Sequence, residues 1–254
     1  MQLNSNFNFL IKTSTKVELF FFFVKVRLAY INKRDYVYLY GGKIVLEMYL
    51  FINPVGKESY QSEKNIIKLV NKLDTEIRFR FIPFLNLNTV TKVLVEHNLP
   101  LNDLDIRNKV FHDIYQSALD YKAALFQGKN HGCNFLLNLQ AQIFDNHRIY
   151  SNDVIQDVLS SLKIDTEMFE ADRYSDFTIE SFKRDQQMAA EMNVSNHPTM
   201  VLYNLKGIDF GVSLTDCSSY NMLEDLCSGK LNSELMLCKN NKSHKGPITS
   251  LHTI

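Results

Sequence analysis

Two short apolar runs separated by one helical pattern constrain this chain more than any other feature. Leu46-Glu47-Met48-Tyr49-Leu50-Phe51-Ile52 is closed by Asn53-Pro54 and reads as a buried strand ending in a turn. From Ser59 to Leu73 the apolar residues Ile66, Ile67, Leu69, Val70 and Leu73 recur at helical spacing, with Gly56 in the loop before them. Glu76 to Phe84 then alternates Ile77, Phe79 and Phe81 against Arg78 and Arg80 before Pro83, which predicts a second strand. A strand, a helix and a strand joined by connections of a few residues predict a parallel pair with a right-handed crossover.

The next stretch, from about 103 to 193, is helical throughout. Tyr115 to Phe126 has an Ala-rich face and stops at Gly128, and Phe135 to Phe144 carries Leu136, Leu139 and Ile143. Ser151-Asn152-Asp153 and Asp165 are placed as helix caps, the second with Met168 and Phe169 turned inward, and Ser175-Asp176 precedes a helix through Met188 and Met192. Such stripes are the core-facing sides of packed helices. Then Asn196-His197-Pro198 leads into Thr199-Met200-Val201-Leu202-Tyr203, a strand. Gly207 and Gly211 flank a hairpin partner predicted at Ile208 to Val212, and residues 217–228 form a last helix.

Composition excludes several classes of function. The 254 residues are 45% hydrophobic and 22% charged, a globular balance that argues against disorder or coiled coil. The formal charge is zero, with 28 basic and 28 acidic residues, but residues 1–45 hold seven basic against two acidic ones. The body from 46 onward is therefore net acidic, which disfavours nonspecific nucleic-acid binding. The apolar run Leu19 to Val24 stops at Lys25 and Arg27 and is too short to span a bilayer. Residues 1–45 are rich in Asn, Lys, Phe, Ile, Tyr and Leu, whose codons are rich in A and T. Gly41-Gly42 stands where a ribosome-binding sequence would be read through, so translation is expected to start at Val45 or Met48. The other reading is a genuine disordered or hairpin extension, with the alternation of Val37-Tyr38-Leu39-Tyr40 in its favour.

The order strand, helix, strand, helical stretch, X-Pro, two strands and helix is the layout of the thioredoxin fold, an α/β fold, with an inserted helical domain as in DsbA. We divide the chain at 1–45 (leader), 46–102 (β-α-β half), 103–193 (helical insertion), 194–230 (β-β-α half) and 231–254 (polar, disordered tail). Three stretches resemble the YjbH/SpxH family of Gram-positive bacteria. They are the first strand with Asn53-Pro54, Ala118-Leu119-Asp120-Tyr121-Lys122-Ala123-Ala124-Leu125-Phe126-Gln127-Gly128-Lys129, and Ala189-Ala190-Glu191-Met192-Asn193-Val194-Ser195-Asn196-His197-Pro198-Thr199. Phe135-Leu136-Leu137-Asn138-Leu139-Gln140 agrees as well, and the resemblance covers about 46–204. It implies a cytoplasmic adapter of the stress response that binds the transcription regulator Spx and presents it to the ClpXP protease. No cofactor is assigned, and the acidic body and the short apolar run leave no nucleic acid and no membrane among the expected partners.

That family carries a C-P-E-C-like motif after the first strand. Here the positions read Gly56-Lys57-Glu58-Ser59. Disulfide exchange needs a thiolate at a helix N-terminus, where the dipole lowers its pKa. Gly56 has no side chain to react, and Ser59 is expected to cap the 59–73 helix. No catalytic residue is therefore assigned. The second reading is an enzyme of the DsbA-like family, a thiol-disulfide oxidoreductase or isomerase or a glutathione-linked enzyme. A third is a degenerate paralogue without a partner. Asn196, His197 and Pro198 sit where this fold places a cis proline facing the motif loop, and they are assigned to partner binding by strand addition. Cys133, Cys217, Cys227 and Cys238 show no C-x-x-C spacing. His97, His112, His131 and His147 show no metal-helix spacing, so no metal site is assigned.

Overall fold

A computed structural model describes residues 45–73, 76–206, 208, 211–215, 217, 219–230 and 251–253. The expectations for residues 1–44, for Cys238 and for 231–250 fall outside the described residues. Strand β1 (Leu46–Ile52) leads through Asn53–Gly56 into helix α1 (Lys57–Lys72), followed by β2 (Ile77–Pro83). Then come α2 (Leu87–Glu96), α3 (Leu104–Phe126), α4 (Lys129–Phe144), α5 (Asn152–Leu162), α6 (Thr166–Arg173) and α7 (Asp176–Glu191). The chain closes with β3 (Thr199–Tyr203), β4 (Val212–Leu214), α8 (Tyr220–Cys227) and β5 (Leu251–Thr253).

The sheet runs β2-β1-β3-β4-β5. β1 pairs parallel with β2, from Leu46 opposite Ile77 to Ile52 opposite Pro83, as the β-α-β pattern predicts. β3 is antiparallel to β1, with Phe51 opposite Thr199, and β4 is antiparallel to β3. β5 lies in the segment read as a tail and pairs with β4. β1 lies inside the sheet, between β2 and β3, and packs on both faces, which is why it reads as a nearly continuous apolar run. One face packs Met48, Leu50 and Ile52 against Ile66 and Leu69 of α1, Leu136 of α4 and Leu223 of α8. The other packs Phe51, Ile82 and Val201 against Ala189 on α7. This is the α/β arrangement of a thioredoxin fold with helices inserted between β2 and β3.

The inserted helices hold a second apolar cluster, in which Ala123, Ala124, Phe135, Leu139, Val158, Leu159 and Phe169 meet. Gly132 allows the close crossing of α3 and α4, because a Cβ there would lie 2.7 Å from the Leu125 Cα. Buried charge ties the insertion together. Asp120, fully buried, accepts from Arg173 Nε at 2.9 Å and from Tyr150, and Arg173 also reaches Asn152 and Glu170. Lys122 on α3 pairs with Asp185 on α7, both almost wholly buried, with Arg80 of β2 4.0 Å from Asp185. Burial pushes the Lys122 amine down and the Asp185 carboxyl up, each toward its neutral form.

Several elements differ from their sequence expectation. Helix α1 begins two residues earlier than Ser59, because Gly56 already has extended backbone and serves as N-cap. The hairpin partner is Val212–Leu214 and not Ile208 to Val212; Ile208 packs into the core from the connecting segment. The last helix starts at Tyr220, with Ser219 capping through the Met222 N–H. Asp165 caps α6 as expected, but Met168 is exposed, and only Phe169 of that pair is buried. Ser151 is the N-cap of α5 without a side-chain hydrogen bond. Helix α2 has no counterpart in the sequence reading.

Replacing Arg173 by Met leaves Asp120 buried beside Tyr150 and Gln116 without its cation. We expect Arg173→Met to cost about 3–5 kcal/mol, the range for breaking a buried pair from one side. The urea midpoint of unfolding measures it, and an unchanged midpoint would contradict the role given to this pair.

Candidate functional site

The register of β1 and β3 brings the two predicted site segments together. β1 ends at Ile52 and β3 begins at Thr199, opposite Phe51, so the 53–56 turn and the 195–198 loop leave the same end of the sheet. In the turn, the Asn53 carbonyl accepts the Gly56 N–H at 2.9 Å and Asn53 Oδ1 accepts the Val55 N–H at 3.1 Å. The turn delivers the chain directly into the N-terminus of α1. The His197–Pro198 peptide bond is cis, at the position the sequence resemblance assigned.

Gly56 is buried, Lys57 and Glu58 are exposed, and Ser59 is fully buried. Ser59 does not cap the helix. It is the third helical residue, and its hydroxyl oxygen accepts the Asn53 N–H at 3.0 Å, tying the turn to α1. Position 56 has little room. A Cβ there would lie 3.1 Å from the Asn53 Cβ and 3.2 Å from both the Asn53 carbonyl oxygen and Nδ2. The motif positions therefore carry no thiol, and Asn53 fills the space beside the first of them.

Helix α2 supplies what the sequence reading missed. The Lys92 ammonium pairs with the Glu58 carboxylate and also donates to the His197 carbonyl at 3.1 Å. Asn86, the N-cap of α2, uses Oδ1 to accept the Thr89 N–H and Nδ2 to donate to the Ser195 carbonyl at 2.9 Å. Two side chains of one helix thus fasten the cis-proline loop, and one of them bridges it to the motif helix. Asn86 followed by Val90, Val93 and Leu94 is a cap and a 3.6-period stripe, so α2 itself was legible. The contacts of Lys92 were not, because they span 34 and 105 residues of sequence.

Asn196 is exposed, and its carbonyl accepts the Thr199 hydroxyl at 2.8 Å. His197 is buried, and neither ring nitrogen has a hydrogen-bond partner among the described residues. Burial, helped by the Lys92 charge, pushes its imidazole down to about 4. Leu87 and Val95 of α2, the helix that fastens this loop, are exposed, as are Leu104 and Phe111 of α3.

The sulfurs lie elsewhere. Cys133 shares the main core with Tyr121 and Leu136, beside Ile67 and Val70 of α1, and burial pushes its thiol up. Cys217 donates to the Leu214 carbonyl at 3.2 Å. The half-buried Cys227 thiol is pushed up to about 12 by burial. None of the three sits in the 53–59 turn, and the raised thiols of Cys133 and Cys227 are disfavoured as thiolates. Among the described residues, no group of three His, Cys, Asp or Glu side chains could hold a metal ion, and no helix is long and apolar enough to cross a membrane.

Two measurements test this geometry. Ser59→Ala leaves the buried Asn53 N–H without an acceptor and should cost about 1–3 kcal/mol in denaturant unfolding; a neutral effect would mean the hydroxyl does not hold the turn. The unfolded chain protonates its imidazole near 6.5, whereas folded His197 does so near 4. The stability contributed by neutral His197 is therefore full above pH 6.5 and is lost as pH falls toward 4. In an NMR titration of the seven histidines, His197 should stay neutral at pH 5.5, and a midpoint near 6.5 would contradict its burial.

Comparison with known proteins agrees with this fold. Residues 49–225 match the Thioredoxin_5 family, described as thioredoxin. The chain is similar to the ClpXP adapter protein SpxH of Bacillus subtilis, with 27% identity over 205 residues, 74% of this chain and 69% of the relative. It is also similar to the ClpXP adapter protein SpxH of Bacillus licheniformis, with 24% identity over 204 residues, 74% of this chain and 68% of the relative. Among solved structures, the oxidoreductase DsbA of Xylella fastidiosa superposes with a TM-score of 0.51 at 10% identity, over 75% of this chain and 88% of that one. With more than half of its length matched and the DsbA-like arrangement of its helices, the chain belongs to this thioredoxin family.

Proposed function

We propose that this protein is a redox-inactive, cytoplasmic adapter that binds a Spx-type transcription regulator and presents it to the ClpXP protease. The observation that carries the reading is the replacement of thiol chemistry by a fixed polar turn at an otherwise intact thioredoxin-fold site. Gly56 offers no nucleophile, the Ser59 oxygen is occupied by the Asn53 N–H, and Lys92 bridges the motif helix to the cis-proline loop. Similarity to SpxH adapters supports the choice of client and protease.

The adapter does no covalent chemistry. We take 46–102 and 194–230 as the two halves of one thioredoxin-like unit and 103–193 as its insertion. The client docks against Asn196, His197 and Pro198, the loop that α2 holds in place, with Leu87 and Val95 exposed on that same helix. An extended client segment would pair with the backbone of that loop as an added strand. Holding the client there leaves its degradation signal free for the protease.

The test is reconstituted degradation of the Spx-type regulator by ClpXP, with and without this protein. Addition should accelerate client loss several-fold, and a chain with Cys133, Cys217, Cys227 and Cys238 all changed to Ala should accelerate it equally. No acceleration, together with failure of the regulator to co-purify from the native host, overturns the adapter reading. Insulin reduction that disappears in the cysteine-free chain would instead return the protein to thiol-disulfide exchange.

A further inference from the structure

Helix α1 buries an acid that the site does not use. Glu63 is completely inaccessible, one turn beyond Ser59. Its Oε1 accepts from Gln140 Nε2 on α4 at 2.9 Å. Glu63 Oε2 and Gln140 Oε1 are both buried without a hydrogen-bond partner. Two acceptors left over in one buried carboxyl–amide pair indicate a missing donor, because buried polar atoms without partners are costly and rare. A single proton supplies it. A protonated carboxyl is both donor and acceptor, and so is a primary amide.

We infer that Glu63 carries a proton on Oε2 and donates it to Gln140 Oε1, closing an eight-membered acid–amide ring that fastens α1 to α4. The ring satisfies both leftover acceptors and puts no net charge in the core. It joins the helix that opens on Gly56-Lys57-Glu58-Ser59 to the inserted helices, so alkali, by removing the proton, loosens the motif helix from the insertion.

The surroundings agree. The titratable groups facing Glu63 are Tyr60 on its own helix, Tyr121 on α3 and Cys133 on α4. All are neutral when protonated, and burial raises each of them. The sheet contributes apolar side chains to the same core, among them Leu46, Met48, Leu50, Ile52, Phe81, Met200 and Leu202. On the α8 side, Glu224 is paired at the surface with Lys72, more than two turns along α1. Burial without a cation holds the Glu63 carboxyl well above the usual carboxylate range, although the Gln140 hydrogen bond opposes the shift.

The experiment uses the full chain with carbon-13 in the glutamate side-chain carboxyls, Glu63 being identified by its loss in Glu63→Gln. The Glu63 signal should remain that of a neutral acid at pH 7, while exposed glutamates titrate in their ordinary range. In unfolding, the folded chain keeps this proton where the unfolded chain has lost it. From the ordinary carboxylate pKa up to the raised one, the unfolding constant of wild type should rise tenfold per pH unit relative to Glu63→Gln, a loss of about 1.4 kcal/mol of stability. Glu63→Gln should fold, because the new amide can donate and accept in the same ring. Titration of Glu63 together with the exposed glutamates, a flat difference between the two chains, or a Glu63→Gln chain that does not fold would each overturn the inference.

Discussion

The pairing of Phe51 with Thr199 is the constraint on which the site depends. Because β1 and β3 are antiparallel, the end of one strand lies beside the start of the other. The Asn53 turn and the His197–Pro198 loop must then meet, whatever residues they carry. Parallel pairing with β2 fixes β1 from its other side, and burial of both faces leaves no freedom of register, since a slip of one residue would exchange the two core faces. The scaffold that would align a redox motif with a cis proline is thus retained by packing alone, independently of the motif's chemistry.

At that meeting point, polar contacts take the place of a reactive group. The Ser59 hydroxyl closes the turn, and Asn53 fills the space beside Gly56. Lys92 spans from Glu58 to the carbonyl before the cis proline. The Lys92–Glu58 pair is partly exposed, so its contribution to stability is small. Its consequence is positional: a cation bound to a carbonyl and a carboxylate together keeps α2, α1 and the cis-proline loop at a fixed separation. Asn86 at the other end of α2 makes the second attachment, which prevents the helix from pivoting about Lys92.

Much of the fold was legible because local signals and tertiary demands agree. β1 and β2 show apolar strand patterns, Asp165 and Ser175 cap the helices they precede, and His197-Pro198 marks the entrance to β3. The errors arise where a tertiary contact outweighs a local preference. Ser59 looks like a cap, but the turn at Asn53 delivers extended backbone to Gly56, and the hydroxyl is taken by Asn53. Met168 and Phe169 are equally apolar, yet only one faces Phe135. The role of Lys92 could not be read, because nothing local distinguishes a lysine that reaches a carbonyl 105 residues away from one in solvent. Glu63 did leave a trace: it stands three and four residues before Ile66 and Ile67, an acid at the head of the apolar stripe.

The buried acids of this protein divide into two kinds, and the division follows the two parts of the structure. Asp120 and Asp185 lie in the inserted helices and face Arg173 and Lys122, so their desolvation is offset by a cation of opposite sign. Glu63 joins the sheet-packing helix to the insertion and has only an amide opposite. An ion pair tolerates changes in pH as long as both partners stay charged, whereas a neutral acid–amide pair exists only while the proton is bound. The inserted helices are therefore held to one another by charge, whereas the buried contact between α1 and α4 at Glu63 is one of neutral groups, with Tyr60 of α1 also donating to the Asp145 carboxylate at the end of α4. That difference makes the Glu63–Gln140 contact the part of the α1–α4 junction whose strength is set by proton occupancy, on the helix whose first turn Lys92 bridges to the candidate docking loop.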